Sequence, residues 1–362
     1  MAIVKIAPAR PTVPGVEHVV RAIKGRVSMP VLRDSIKAAR LKTGSAWDDV
    51  IGAANEPTNG PKLTQFLWDY YQEHIIAGER YVQLYELDTP TRDKVLNTLA
   101  HAVVTPSDFS ATYPLPLQPP QLNSGPKVPT LVEVRSLPNG DYALVYCSVR
   151  SHDVRETYDF NQLPALVQKT YAGIDELITV KKTYFQAFDV VVVRSTLDRV
   201  EICIDHPKKG IAKTLDNTVL EVFREASLNI PDLQRVYQSQ PTNVFGALSG
   251  IYFEPKEGTV RLLSFRTMTT GSRKTEKMMK SSDDLRSEDF HQAGAVAVDN
   301  KFKPYELVVD WESKIPVGQY QIAMHAHFRE LSSPDPQLNG FFALADTNQL
   351  MTLAINKIVK FL

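Results

Sequence analysis

The sequence predicts an α+β protein: an N-terminal helical domain, a proline-rich linker, and a larger antiparallel or mixed α+β domain built from hairpins. Three observations carry this reading. Apolar residues recur at helical spacing through the first hundred positions. Seven prolines (106, 114, 116, 119, 120, 126 and 129) then crowd residues 105–130. Beyond them the period shortens to two around turn signals such as Asn139-Gly140. The expected divisions are a helical domain over 1–104, a linker over 105–130 and an α+β domain over 131–362.

In the first segment, Val16, Val19, Val20 and Ile23 fall on one helical stripe, as do Leu32, Ile36 and Ala39 after Pro30, a residue suited to a first turn. Ser45 is placed to cap a third helix over Trp47, Val50 and Ile51. The longest helix is expected over 63–87, with Gly78 as its weak point, and Thr91 is placed to cap a fifth that carries Val95, Leu96 and Leu99. The proline segment lacks the amide donors for a helix or a central strand, so it reads as an extended spacer or a strap. Pro116-Leu-Gln-Pro119 also fits a loose adaptor-ligand pattern.

In the last segment four hairpins are expected: 131–137 with 142–149, 190–195 with 199–205, 248–254 with 259–265, and 305–311 with 319–328. Helices are expected between them over 163–171, 217–228 and 287–296. A terminal helix over 347–362, with Asp346 as its cap, carries Leu350, Ala354, Ile358 and Phe361 along one side. Its plainest use is to close its own core.

Composition narrows the function. The chain has 362 residues with 43% hydrophobic and 23% charged, which is globular rather than disordered. Its two cysteines, Cys147 and Cys203, lie in apolar β-branched runs, too few for a disulfide scaffold or a cysteine zinc site. No run approaches the ~18 apolar residues of a membrane-spanning helix, and the opening residues do not read as a secretory leader. A cytoplasmic protein is expected.

The formal net charge of zero conceals a split. Residues 1–42 hold nine basic residues against two acids, and residues 43–93 hold nine acids against three basic residues. Arg33, Lys37 and Arg40, at i, i+4 and i+7, form one edge of a helix. A second basic region includes Arg261, Arg266, Arg273, Lys274, Lys277 and Lys280, and its centre, 269–275, reads as a loop. Arg33, Lys37, Arg40, Arg273, Lys274 and Lys277 are the candidate phosphate contacts.

No catalytic fingerprint stands out. The spacings of a phosphate-binding loop, a serine nucleophile elbow and a dinucleotide-binding loop all fail. His325 and His327, at i and i+2 on an expected strand, share a face with Arg329 and form a weak candidate for metal binding that lacks a third ligand. Acid-x-Lys triplets, which place a metal carboxylate beside an orienting lysine, occur three times where chance predicts about 2.5. Of these, Glu312 and Lys314 after Asp310 are the best placed. The expectation is therefore a non-enzymatic binding or adaptor protein without a cofactor, contacting nucleic acid or another protein. The alternatives are a metal-dependent nuclease or hydrolase using Glu312, Lys314, His325 and His327, and a structural subunit or homo-oligomer.

Overall fold

The computed structural model describes residues 14–171, 174–206, 215–280 and 283–362. Its frame is a ten-stranded sheet in which every neighbouring pair is antiparallel. In chain order the elements begin with α1 (Val16–Lys24), α2 (Met29–Ala38), α3 (Trp47–Ala54), α4 (Gly60–Ile76), β1 (Gly78–Glu86), α5 (Thr89–Ala100) and α6 (Pro119–Ser124). Next come β2 (Thr130–Ser136), β3 (Tyr142–Asp159), α7 (Ala165–Thr170), β4 (Glu176–Val193), β5 (Arg199–Asp205), α8 (Leu215–Asn229), α9 (Gln234–Tyr237) and α10 (Phe245–Phe253). The chain closes with β6 (Thr259–Thr267), β7 (Arg273–Lys277), α11 (Asp289–Ala297), β8 (Phe302–Lys314), β9 (Val317–His325), β10 (Phe341–Ala345) and α12 (Asn348–Val359). The α+β class read from the sequence holds.

The spatial strand order is β2-β3-β4-β5-β1-β10-β9-β8-β6-β7. Two meanders, β2 to β5 and β8 to β10, are thus joined through β1. This strand overturns the expected helix over 63–87. Alternation explains it: Arg80, Val82 and Leu84 face one way and Tyr81, Gln83 and Tyr85 the other. Gly78, at φ +83°, ends the helical stretch. Both strand faces are buried, so the segment lacks the polar alternation that marks a half-exposed strand.

The sheet is covered on both faces. Val82, Cys203, Ile322, Leu307 and Val309 pack with α10 and α12. Further along the same face, Val145, Cys147, Val149 and Phe188 pack with α1, α3 and α4. On the opposite face, Tyr85, Tyr146, Val191 and Ile202 pack with α5, α8 and α9. One buried cluster contains Val19, Leu67, Phe109, Leu117 and Cys147, so it crosses the expected boundaries at 104 and 130. Residues 105–130 lie against the body as a strap: Phe109 is fully buried, Leu117 N donates to Gln186 Oε1 at 2.9 Å, and Val149 N donates to Pro126 O at 2.7 Å.

The hairpin around Asn139-Gly140 forms, with both residues at positive φ. The hairpins β4–β5 and β8–β9 also form. The expected third hairpin does not, because 245–253 is helix α10 and β6 pairs with β7 and β8 instead. An apolar run such as Leu248 to Phe253 satisfies a buried helix and a buried strand equally. Three cap assignments also change. Asp49 Oδ2 accepts from the Ser45 and Ala46 amides, and Asp88 Oδ1 accepts from Thr91 N. Thr347, not Asp346, caps α12, which buries Leu350, Ala354 and Ile358 in its own core as expected.

Candidate anion-binding surface

A cluster of exposed cations lies at the sheet edge. β7 is the terminal strand, and its Arg273, Lys274 and Lys277 are all exposed. The expected loop over 269–275 is corrected here, since residues from 273 onward pair with β6. A five-residue, highly charged edge strand carries no apolar alternation to mark it, and such charge is a common guard against edge-to-edge pairing. Arg273 and Lys277 point to one face, and Lys274 to the other, opposite Phe265.

Register then assembles what the sequence keeps apart. Arg273 stands opposite Arg266 on β6, and Arg266 stands opposite Lys303 on β8. Three cations therefore line up across three neighbouring strands, on one face. Directly opposed like charges destabilise a sheet by up to about 1 kcal/mol per pair. Among the described residues, neither these three nor Lys274 and Lys277 form an ion pair with a carboxylate. The Arg273 guanidinium sits 4.0 Å from the centre of the Phe328 ring, and Arg266 Nη1 donates to Ser332 Oγ at 3.0 Å. Lys303 and Phe328 were not legible as site residues, because cross-strand neighbours lie far apart in sequence.

The α2 candidates lie elsewhere. Arg33 is half-buried with Nε 3.7 Å from Asp34, and Lys37 is exposed. Arg40 has left the helix and adopts φ +59°, so the expected three-residue stripe ends at Lys37. Ser35 Oγ approaches Asp346, just beyond β10, at the strand ends where Asp310 of β8 also lies. Lys303 is seven residues from Asp310 on β8, about 23 Å at strand rise. The two basic regions thus occupy opposite ends of the strands.

Some of the apparent surface charge is internal. Arg26 donates to both oxygens of Asp205, at 2.9 and 2.8 Å, and Arg80 lies 3.3 Å from the same carboxylate. Arg80 also donates to the carbonyls of Ala77, His74, Ile75 and Phe188. It therefore closes the C-terminal end of α4, where carbonyls lack helical partners and the dipole favours a cation. Burial alone raises the Asp205 carboxyl, but Arg26 and Arg80 outweigh it and hold the group below the usual carboxylate range. Asp189 accepts from Asp205 N at 2.9 Å and pairs with Arg150. A second buried group, Arg194, Arg199 and Glu201, reaches Asn356 of α12 through Arg199.

The residues of the hydrolase alternative are not gathered. His325 Nδ1 lies 2.7 Å from Glu306 Oε1, its cross-strand partner, and Ser264 Oγ donates to the other oxygen. The His325 hydrogen bond holds Glu306 below the usual carboxylate range, against its burial. His327 has left the strand and caps a turn, its Nδ1 accepting from Arg329 N. Glu312 and Lys314 are exposed at the far end of β8, with Glu312 accepting from Gln319. Six residues separate Glu312 from the partner of His325, roughly 20 Å along the strand. Among the described residues, no group of three or more His, Cys, Asp or Glu is placed to hold a metal ion. Both cysteines are buried thiols, and burial pushes Cys203 up to about 12. No described helix is long and apolar enough to cross a membrane.

No family model, no curated protein and no solved structure matches this chain.

Proposed function

We propose that this chain is a binding protein that holds nucleic acid by its phosphates along the basic edge of the sheet. The observation that carries the reading is the row Arg273, Arg266, Lys303. Three opposed cations on adjacent strands cost stability and have no carboxylate partner among the described residues, so an external polyanion is the counter-charge that suits them. Arg273 and Phe328 add a stacked cation and ring, a surface on which an unpaired base can rest. Lys277 extends the row along the same face of β7.

Such contacts position a nucleic acid without reading its sequence. Fluorescence anisotropy of the full chain with single- and double-stranded DNA and RNA, at two salt concentrations, tests the reading. Binding should fall steeply with salt. The variant carrying R266E, R273E and K303E should bind more weakly on every sequence. Its salt slope should be shallower by about 0.9 for each duplex phosphate that the protein ceases to neutralise. Reversal of Arg33, Lys37 and Arg40 should have a smaller effect, because these residues sit at the other end of the strands. Unchanged binding in the first triple variant would refute the proposed surface.

A further inference from the structure

A cavity of 240 Å³ lies between α1, the strap and β4. Tyr184, Gln186 and Phe188 alternate along β4 and so turn to the same side, and Tyr71 of α4 and Leu117 of the strap complete a mostly apolar lining. Among the described residues no aspartate or glutamate lines it. The polar part of the wall consists instead of donors with hydrogens to spare. Arg26 places both terminal nitrogens on Asp205, and its guanidinium stands 5.5 Å from the centre of the Phe188 ring. The Arg26 side chain is only 7% exposed, yet its Nε is buried and makes no hydrogen bond. A buried N–H without an acceptor is costly. Gln186 accepts from Leu117 N through Oε1, which fixes its amide, and one hydrogen of Nε2 goes to Cys147 Sγ at 3.3 Å. Its second amide hydrogen remains available. The charge behind the cavity is unbalanced in the same sense: Arg26, Arg80 and Arg150 share only two carboxylates, those of Asp205 and Asp189. On the α1 side Arg21 is exposed and forms no ion pair among the described residues.

We infer that this cavity receives a small organic carboxylate with an apolar body, its oxygens taken by Arg26 Nε and the spare amide hydrogen of Gln186. Such a ligand supplies the acceptor that Arg26 lacks and the negative charge that the buried arginines lack. A few polar groups that fix orientation in an otherwise apolar wall are the usual build of a small-molecule site. At the ~30 Å³ that a liquid water occupies, the cavity holds roughly eight to ten non-hydrogen atoms, the size of phenylacetate or hexanoate and well short of a lipid or a peptide. Two donors can serve one carboxylate. A phosphate would bring more oxygens and a second charge than this wall can match. The rings of Tyr71, Tyr184 and Phe188 provide contact for the body of the ligand. The inference is independent of the phosphate-binding proposal, because the cavity uses no residue of the cation row.

The test is isothermal titration of the full chain with phenylacetate and hexanoate, with phenylacetamide and benzylammonium as neutral and cationic controls of similar size. Binding of the carboxylates is expected, with phenylacetamide at least about tenfold weaker and benzylammonium silent. The tighter of the two carboxylates identifies the body as aromatic or aliphatic. Ala22→Leu, which sets a larger side chain into the cavity from α1, should weaken that carboxylate at least about tenfold with an unchanged thermal melt. Arg21→Glu should weaken it by about threefold, the effect of one exposed charge. Absence of heat from both carboxylates up to the order of 10 mM, equal binding of phenylacetamide, or undiminished binding by folded Ala22→Leu would overturn the inference. If Ala22→Leu melts early, Leu122→Phe fills the cavity from the strap instead, and undiminished binding by that variant overturns the inference in the same way.

Discussion

Arg80 of β1 stands directly opposite Asp205 of β5, and neither side chain reaches solvent. The pair joins the first hundred residues to the middle of the chain, and Arg26 approaches the same carboxylate from beyond α1. Asp205 thus balances two guanidinium groups, one of which also closes the end of α4.

Replacing Asp205 by Asn would leave Arg26 and Arg80 buried without their shared counter-charge. Removing one partner of a buried pair costs about 3–5 kcal/mol. The urea unfolding midpoint of Asp205→Asn should therefore fall by the corresponding amount with an unchanged slope. A loss below about 1 kcal/mol would show that the α4 carbonyls suffice for both arginines.

Acid should destabilise the protein through the same group. The folded-state pKa of Asp205 is depressed, so its contribution is fully present above the unfolded carboxyl value of about 3.9 and is lost as pH falls through the lower folded value. Glu201, whose burial is outweighed by Arg194 and Arg199, acts in the same sense. Unfolding midpoints should hold above about pH 5 and fall steeply below about pH 4. The fall should be shallower in Asp205→Asn. Identical pH profiles for the two proteins would remove Asp205 from this account.

The cation row separates function from stability. Lys303 is exposed and opposes Arg266, so Lys303→Gln should relieve repulsion and raise the unfolding free energy by about 0.2–1 kcal/mol. The same change should weaken nucleic-acid binding. A substitution that stabilises the fold while weakening a ligand marks a charge retained for that ligand. A drop in stability would instead mean that Lys303 has a partner within the fold.

Gly258 tests the entry into β6. It sits at φ +54°, and a Cβ there would meet the Asp310 carbonyl oxygen at 2.6 Å. Its own carbonyl accepts from Arg286 Nη2 at 2.5 Å. Gly258→Ala should destabilise by about 1–3 kcal/mol through overpacking against backbone that cannot yield. Calorimetry checks this, and an unchanged melting temperature would show that the turn can relax.

What could be read from the sequence was whatever is local. Asn139-Gly140 carries its own turn geometry, and the apolar stripe Val19, Val20 and Ile23 announces α1 without reference to anything distant. β1, α10 and β10 were missed for one shared reason. Each is short, and none shows a clean polar alternation: α10 and β10 are apolar runs, and β1 buries Arg80 and Gln83 along with its apolar residues, so the pattern does not separate strand from helix. The candidate surface was half legible: Arg273, Lys274 and Lys277 stand out as a charge cluster. That Lys303 and Phe328 join them depends on strand register and loop path, which no short window of sequence contains.

The central place of β1 has a consequence for the order in which the protein can be completed. This strand leaves the ribosome before both of its neighbours, which follow more than a hundred and more than two hundred and fifty residues later. The β2–β5 meander can assemble and accept β1 along one edge while the other edge, with its unpaired backbone amides, waits for Phe341–Ala345. Over that interval the nascent chain carries an open central seam, the kind of edge that recruits a chaperone or a neighbouring nascent chain. Of the described strands, β10 emerges last, and it is the one that seals the seam.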